Sequence, residues 1–300
     1  MAEDPGVTGD TGARDRLHAV LGGESGIVSV GVTFLPEVAT ASLLWGSEAD
    51  AHTPLAVAVC SRLAPDFAFV PVWEPAAETT VRDIASCGTA PFVVVRGPLT
   101  SIAEQDGWAP TLRATLTGER DFASRLDAAT NATIADTKTA AEWGAFAVVV
   151  AEDVAGATGP LVAPDYVIGD LMPRLGRIAS AAHDAGLAAV WHSDGDIRPD
   201  LRAATRAGFD AVHPGGLEAR AFEALLAEAR RHGLTVLGGI HGSAIRSGGP
   251  VAIRTGVEAA VAAAAGGLLV SDDGSVATGP ELAALISALQ ASRDRGPGGA

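Results

Sequence analysis

Residues 146–214 read FAVVVAEDVAGATGPLVAPDYVIGDLMPRLGRIASAAHDAGLAAVWHSDGDIRPDLRAATRAGFDAVHP, and this stretch decides the fold. Three short apolar runs, 146–150, 187–191 and 209–212, each lead into polar, titratable residues. The first is followed by Glu152 and Asp153, the second by His192, Ser193 and Asp194, the third by His213. Between the runs lie amphipathic segments with helical spacing, from about 164 to 185 and from about 196 to 207. Apolar strands alternating with helices are the signature of parallel βα units. Parallel strands need both faces covered, and ligand chemistry then gathers at their carboxyl ends. The polar residues stand at those ends.

The same alternation extends outward in both directions. Upstream, 14–21 has the spacing of a short helix ended by Gly22 and Gly23, and 27–35 is a β-branched run stopped by Pro36. A helical stretch at 54–63 leads to a second strand at 67–72, with Trp73, Glu74 and Pro75 on its rim. A helix at 79–85, closed by Gly88, precedes a third strand at 91–95, whose exit carries Arg96, Gly97 and Pro98. Residues 99–144 have no strand signal and read as helices broken near 107–110 and at Gly118, the last running 119–143. Downstream, 234–237 is a seventh strand leading through Gly238 and Gly239 to His241. A helix at 251–265 precedes an eighth strand at 268–270, followed by Ser271, Asp272, Asp273 and Gly274. A closing helix is expected at 281–293. Eight strand–helix repeats predict a single (β/α)₈ barrel over 13–293, with loose tails at 1–12 and 294–300. The rival, an open doubly wound sheet, lacks its Gly-x-Gly-x-x-Gly turn after the first strand.

Composition narrows the function classes. The 300 residues are 48% hydrophobic and 19% charged, enough for a large core and too apolar for global disorder. A net charge of −15 argues against nucleic-acid and anionic-membrane partners, which require a basic face. Lys138 is the only lysine and falls mid-helix, which argues against Schiff-base and P-loop chemistry. Cys60 and Cys87 are the only cysteines; one disulfide between them is conceivable, but they form neither a secreted framework nor a Cys-x-x-Cys pair. The acidic start lacks the layout of a signal peptide, and no apolar run reaches the ~18 residues of a membrane span. A soluble, reduced, cytoplasmic protein is the expectation.

His192 and Asp194 lie two apart on one strand, so both side chains point to the same side, with Trp191 turned to the helices. Such a pair can share a metal or act as acid and base. The alternative is a histidine satisfied by a loop carbonyl and an aspartate capping the next helix, a role that Asp196 already suits. His213 and His241 end the next two strands, so three histidines converge on one volume. Only one of Glu152 and Asp153 can face the mouth, and Asp153 is the expected one, as base or orienter. Asp272 or Asp273 completes the ring on the eighth strand. Arg96 is a candidate for holding a substrate carboxylate or phosphate, or else for pairing with one of these carboxylates. Tyr166, the only tyrosine, starts the helix beside the loop of Asp153 and either covers the site or packs.

Asp153 with Gly159 and Pro160, the helix opening Pro164-Asp165-Tyr166 and running through Pro173-Arg174-Leu175, then His192-Ser193-Asp194-Gly195 and the run from Ala207 to Pro214, together resemble the uroporphyrinogen decarboxylase-like superfamily over roughly 91–289. The resemblance implies a (β/α)₈ barrel and either decarboxylation or methyl transfer between corrinoid proteins and thiols. It also has departures. The Arg-Gln-Ala-Gly-Arg segment that binds substrate carboxylates in the heme-pathway decarboxylases has no match in residues 1–75. The thiol-activating methyltransferases bind zinc through His-x-Cys and a later Cys; here His192 matches, Asp194 replaces the first Cys, and the late position falls near Ser271 and Asp272. His241 replaces the acidic residue usual after the seventh strand.

The resemblance implies group transfer at the barrel mouth, most simply methyl transfer, with no heme-pathway decarboxylation. His192, Asp194 and His241 would hold zinc or another divalent ion, with Asp153, His192, Asp194 and His213 as catalytic residues and Arg96, Tyr166 and Asp272 binding a small-molecule substrate. The methyl donor would be a corrinoid supplied by a partner protein. One alternative is a cofactor-free decarboxylase that seats a carboxylate on Arg96. A second is a non-catalytic barrel that binds a corrinoid or tetrapyrrole.

Overall fold

The computed structural model describes residues 12–24, 29–33, 55–118, 120–156, 158–244 and 267–274, with isolated positions within 251–259 and at 285. Eight parallel strands close into a barrel in chain order: β1 (Ser29–Val32), β2 (Phe67–Pro71), β3 (Ala90–Arg96), β4 (Ala147–Ala151), β5 (Ala188–Asp194), β6 (Ala211–Gly215), β7 (Thr235–Ile240) and β8 (Leu268–Asp272), with β8 paired back to β1. This is the single (β/α)₈ barrel expected from the repeat. The tails at 1–11 and 294–300, and the closing helix apart from Leu285, lie outside the described residues.

The strands run further into the polar residues than their apolar cores suggest. β5 continues through His192, Ser193 and Asp194 because their backbones still pair with His213, Pro214 and Gly215 of β6. β8 continues to Asp272 against Ile240 in the same way. A polar side chain does not end a strand while a neighbouring ladder satisfies its backbone groups.

Helices fill the connections. α1 (Ala13–Leu21) precedes β1, α2 (Leu55–Leu63) precedes β2, and α3 (Ala77–Ser86) precedes β3. Between β3 and β4 come α4 (Pro98–Asp106), α5 (Trp108–Thr117) and α6 (Arg120–Trp143). Gly107, with φ +95, separates α4 from α5, and Gly118 ends α5 in the left-handed conformation, as the sequence led us to expect. α7 (Met172–Asp184) joins β4 to β5 after a widened turn, Val167–Leu171, placed just ahead of Pro173, which has no N–H to donate. α8 (Leu201–Ala207) leads to β6 and α9 (Ala219–Arg231) to β7. No helix among the described residues is long and apolar enough to cross a membrane. Cys60 and Cys87 are free thiols, so the disulfide considered from sequence is absent. Burial pushes Cys60 up to about 12.

Two apolar layers result from the period-two alternation of the strands. Trp191, Val212 and Val148 face outward under the helices. Phe67, Phe69, Phe92, Val149 and Val190 face the barrel axis, where Leu17 and Val20 of α1 join them and close the N-terminal end. Phe92 stacks on Phe67 and Phe146, with ring centres 4.7 Å and 5.7 Å apart. Gly31 is required here, since a Cβ on it would lie 2.4 Å from the Phe67 ring. Arg16 anchors α1 to Asp66, whose carboxylate also accepts the Val30 amide.

Candidate functional site

Glu152 and Asp153 follow β4 and part company at once. Glu152 keeps the outward phase of Val148 and Val150 and is fully buried. It accepts the amides of Leu99 (2.9 Å) and Thr100 (2.7 Å) and the Thr100 hydroxyl (3.0 Å). Those amides are unpaired donors in the first turn of α4, so a carboxylate from the neighbouring strand terminates that helix. Gly97 makes room, because a Cβ there would meet Glu152 at 2.5 Å. Burial still pushes the Glu152 carboxyl up to about 7, while these hydrogen bonds pull it down.

Asp153 turns the other way, as expected, and its Oδ1 accepts the Asp194 amide at 2.9 Å. Its own amide donates to the Thr100 hydroxyl at 3.1 Å. Thr100 thereby ties both carboxylate positions to α4, a role that sequence reading missed. Its only local cue is a hydroxyl residue shortly after Gly97 and Pro98.

On β5, His192 and Asp194 share the inward phase of Val190. His192 is nearly buried, and its Nδ1 lies 3.0 Å from the His213 carbonyl oxygen and 2.9 Å from His213 Nδ1. Its Nε2 is 3.9 Å from Asp194 Oδ1. Burial raises the Asp194 pKa, neighbouring His192 lowers it, and Asp153 and Asp273 raise it again. Beneath this pair, Gly215 leaves the space the carboxylate uses, since a Cβ on it would lie 2.0 Å from Asp194 Oδ1. Ser193 braces the turn: its hydroxyl accepts the Val154 amide and donates to the Asp194 carbonyl. A cleft of about 200 Å³ opens over Asp153 and Asp194, walled by Trp108, Leu161 and the backbone of four glycines, 156, 195, 215 and 216.

Ligand atoms from Asp153, His192 and Asp194, one each, lie within 4.8 Å of one another. Two carboxylates and an imidazole are a donor set that suits a first-row divalent ion, and small closing movements would bring them to bonding distance. His241, assigned to this set from sequence, is not among the three. Its Nδ1 is 2.9 Å from the Leu217 carbonyl oxygen and its ring stands edge-on to Phe222. Asp153 takes its place in the group.

The other candidates are engaged elsewhere. His213 is fully buried on β6, its Nε2 3.2 Å from the Asp272 carbonyl oxygen; burial, then the neighbouring His192, lowers its pKa to about 3. Asp272, expected to bind substrate, is buried, and its carboxylate accepts the amide and hydroxyl of Thr33 (2.9 Å and 2.6 Å) and the Gly274 amide. It ties β8 to the end of β1. Arg96 lies with its guanidinium 3.8 Å over the Trp73 ring and pairs with Glu104, not with a carboxylate of the mouth. Tyr166 is half-buried against the outer core and does not line the cleft. Asp196 accepts the Arg198 amide in a turn and pairs with the Arg198 guanidinium, but it does not cap a helix as expected: Ile197 precedes the 3-10 turn Arg198–Asp200 and Asp200 precedes α8, neither with a side-chain cap bond.

The fold has relatives among solved structures. A methyltransferase from Methanosarcina mazei superposes with a TM-score of 0.70 at 16% identity, covering 95% of this chain and 100% of the other. A D-psicose 3-epimerase from Clostridium cellulolyticum H10, in a structure with D-tagatose, gives a TM-score of 0.55 at 12% identity, covering 89% and 97%. At these identities the likeness is one of fold. Neither a protein-family model nor a curated sequence matches the chain.

Proposed function

We propose that the protein is a methyl transferase of the uroporphyrinogen decarboxylase-like type, acting at the C-terminal mouth of the barrel on a small acceptor, with a corrinoid protein as methyl donor. The observation that carries this reading is the convergence of Asp153, His192 and Asp194, of which the two carboxylates line one cleft. The resemblance running through these strands, and a fold shared along its length with a methyltransferase, support it.

The chemistry asks little of the chain. The acceptor, a thiol or similar X–H group, gives its proton to His192 Nε2, and its freed electron pair attacks the methyl carbon. The methyl–donor bond breaks with its electron pair remaining on the corrinoid. Asp194 beside the imidazole stabilises the charge that His192 acquires, and Asp153 holds the Asp194 backbone in place. Alternatively Asp153, His192 and Asp194 would hold a divalent ion, which would supply Lewis acidity and lower the acceptor's pKa, so that the proton would pass to water and not to His192. Trp108 and Leu161 wall the cleft in which the acceptor would sit.

Protein purified without chelator or affinity tag should take up a divalent ion and demethylate methylcobalamin in the presence of a thiol. His192→Ala should abolish both. Full activity at negligible metal content would leave acid–base chemistry by His192 and Asp194 alone. Absence of transfer with every thiol tested, or clean conversion of uroporphyrinogen to coproporphyrinogen, would overturn the reading.

A further inference from the structure

We infer that the cleft over Asp153 and Asp194 recognises a small organic cation, so that the acceptor carries an ammonium group in addition to the X–H group that is methylated. This rests on the reading of the cleft as the acceptor site, and it adds the charge and class of the molecule that enters.

The walls set the charge. Asp153 and Asp194 line the cleft, and among the described residues no Lys or Arg does. Arg96, the substrate-binding candidate from sequence, lies over Trp73 and pairs with Glu104. An anionic acceptor would meet two carboxylates and no counter-charge, which selects against it. The carboxylates also have bonding capacity to spare, since each accepts through two oxygens. Asp153 Oδ1 takes the Asp194 amide and Asp194 Oδ1 stands 3.9 Å from His192 Nε2. Oδ2 of each has no hydrogen-bond partner among the described residues. Groups that only accept call for a donor, and an ammonium only donates.

The remaining walls set the body. Trp108 and Leu161 are apolar, and Leu161 is 43% exposed. A bare metal ion would leave these surfaces uncovered. A hydrocarbon stem would cover them, and an indole is the ring on which a cation rests best. The volume of about 200 Å³ limits its length. An apolar cavity of ~150 Å³ takes benzene, so the cleft suits fewer than about ten non-hydrogen atoms.

The test is calorimetric titration of the full chain with three ligands that share one hydrocarbon stem: 3-methylbutylammonium, 3-methylbutan-1-ol and 3-methylbutanoate. The ammonium should bind about tenfold tighter than the alcohol, and the carboxylate should bind weakest. Added salt should weaken the ammonium and leave the alcohol unchanged. Equal affinities, a preference for the carboxylate, or no measurable binding of the ammonium would overturn the inference. Asp194→Asn keeps the shape and removes the charge, and should bring the ammonium down toward the alcohol. Trp108→Leu keeps an apolar wall without the ring, and should also weaken the ammonium. An unchanged ammonium affinity in either variant would place its binding outside the cleft and sink the idea. These ligands carry no thiol and need no methyl donor. A chain that prefers the ammonium but transfers no methyl group therefore keeps this result and loses only the transferase reading, whereas transfer to a thiol without any cation preference does the reverse.

Discussion

The two ends of the barrel are built on opposite terms. The N-terminal end is a stack of Phe67, Phe92 and Phe146 sealed by Leu17 and Val20 of α1. Its stability comes from apolar area, each buried ring contributing about 1.5–3 kcal/mol. The C-terminal end buries Glu152, His213 and Asp272 together, which costs free energy unless every polar atom finds a partner. Each of the three is bonded to backbone fixed by the fold. What lines the cleft instead is Asp153, whose Oδ1 also accepts the Asp194 amide, and Asp194, with His192 Nε2 3.9 Å from its Oδ1. The comparison teaches that a polar residue at a strand end has two fates. Glu152 and Asp153, adjacent in the chain, take one each.

The largest expected effect tests the apolar end. Phe92→Ala should cost about 3–5 kcal/mol of stability, measured by urea unfolding, while the protein that remains folded binds zinc normally. A matching loss of zinc affinity would show that the two ends are not independent. The next effect tests a buried carboxylate at the polar end. Glu152 is raised from 4.5 to about 7 in the folded chain. Between those values the folded state holds a proton that the unfolded state releases, so the Glu152 contribution is full below 4.5 and is lost as pH rises through 7, by on the order of 3 kcal/mol. Glu152→Gln should remove that slope from the pH dependence of unfolding. A slope equal to the parent's would place its origin elsewhere.

The smallest effect on stability tests the residues that line the cleft. Gly215→Ala puts a methyl where Asp194 Oδ1 lies, but the Asp194 side chain is 62% exposed and can swing outward. Unfolding should shift by less than about 1 kcal/mol, as for surface changes, while zinc binding weakens measurably. Unchanged binding would remove Asp194 from the site.

Much of this was legible in the chain. Trp191 facing the helices, His192 and Asp194 facing inward together, and Asp153 chosen over Glu152 all follow from a period of two and a known strand direction. The fates of Asp272 and His241 were not legible. Asp272 meets Thr33 across 239 residues of sequence, and His241 meets the Leu217 carbonyl across 24. Thr100 and Gly215 escaped for the same reason, since their work is done on residues of neighbouring strands.

The order of apolar runs and helical segments therefore determined, without coordinates, that eight βα repeats would close a barrel and that titratable residues would ring its carboxyl end. Those are local properties of spacing and polarity. Only the closed barrel decided which of those residues are spent on the fold and which are left facing the cleft. That choice depends on the register of parallel ladders, which brings His192 against His213 and Asp194 over Gly215 through backbone pairing that no stretch of one strand encodes.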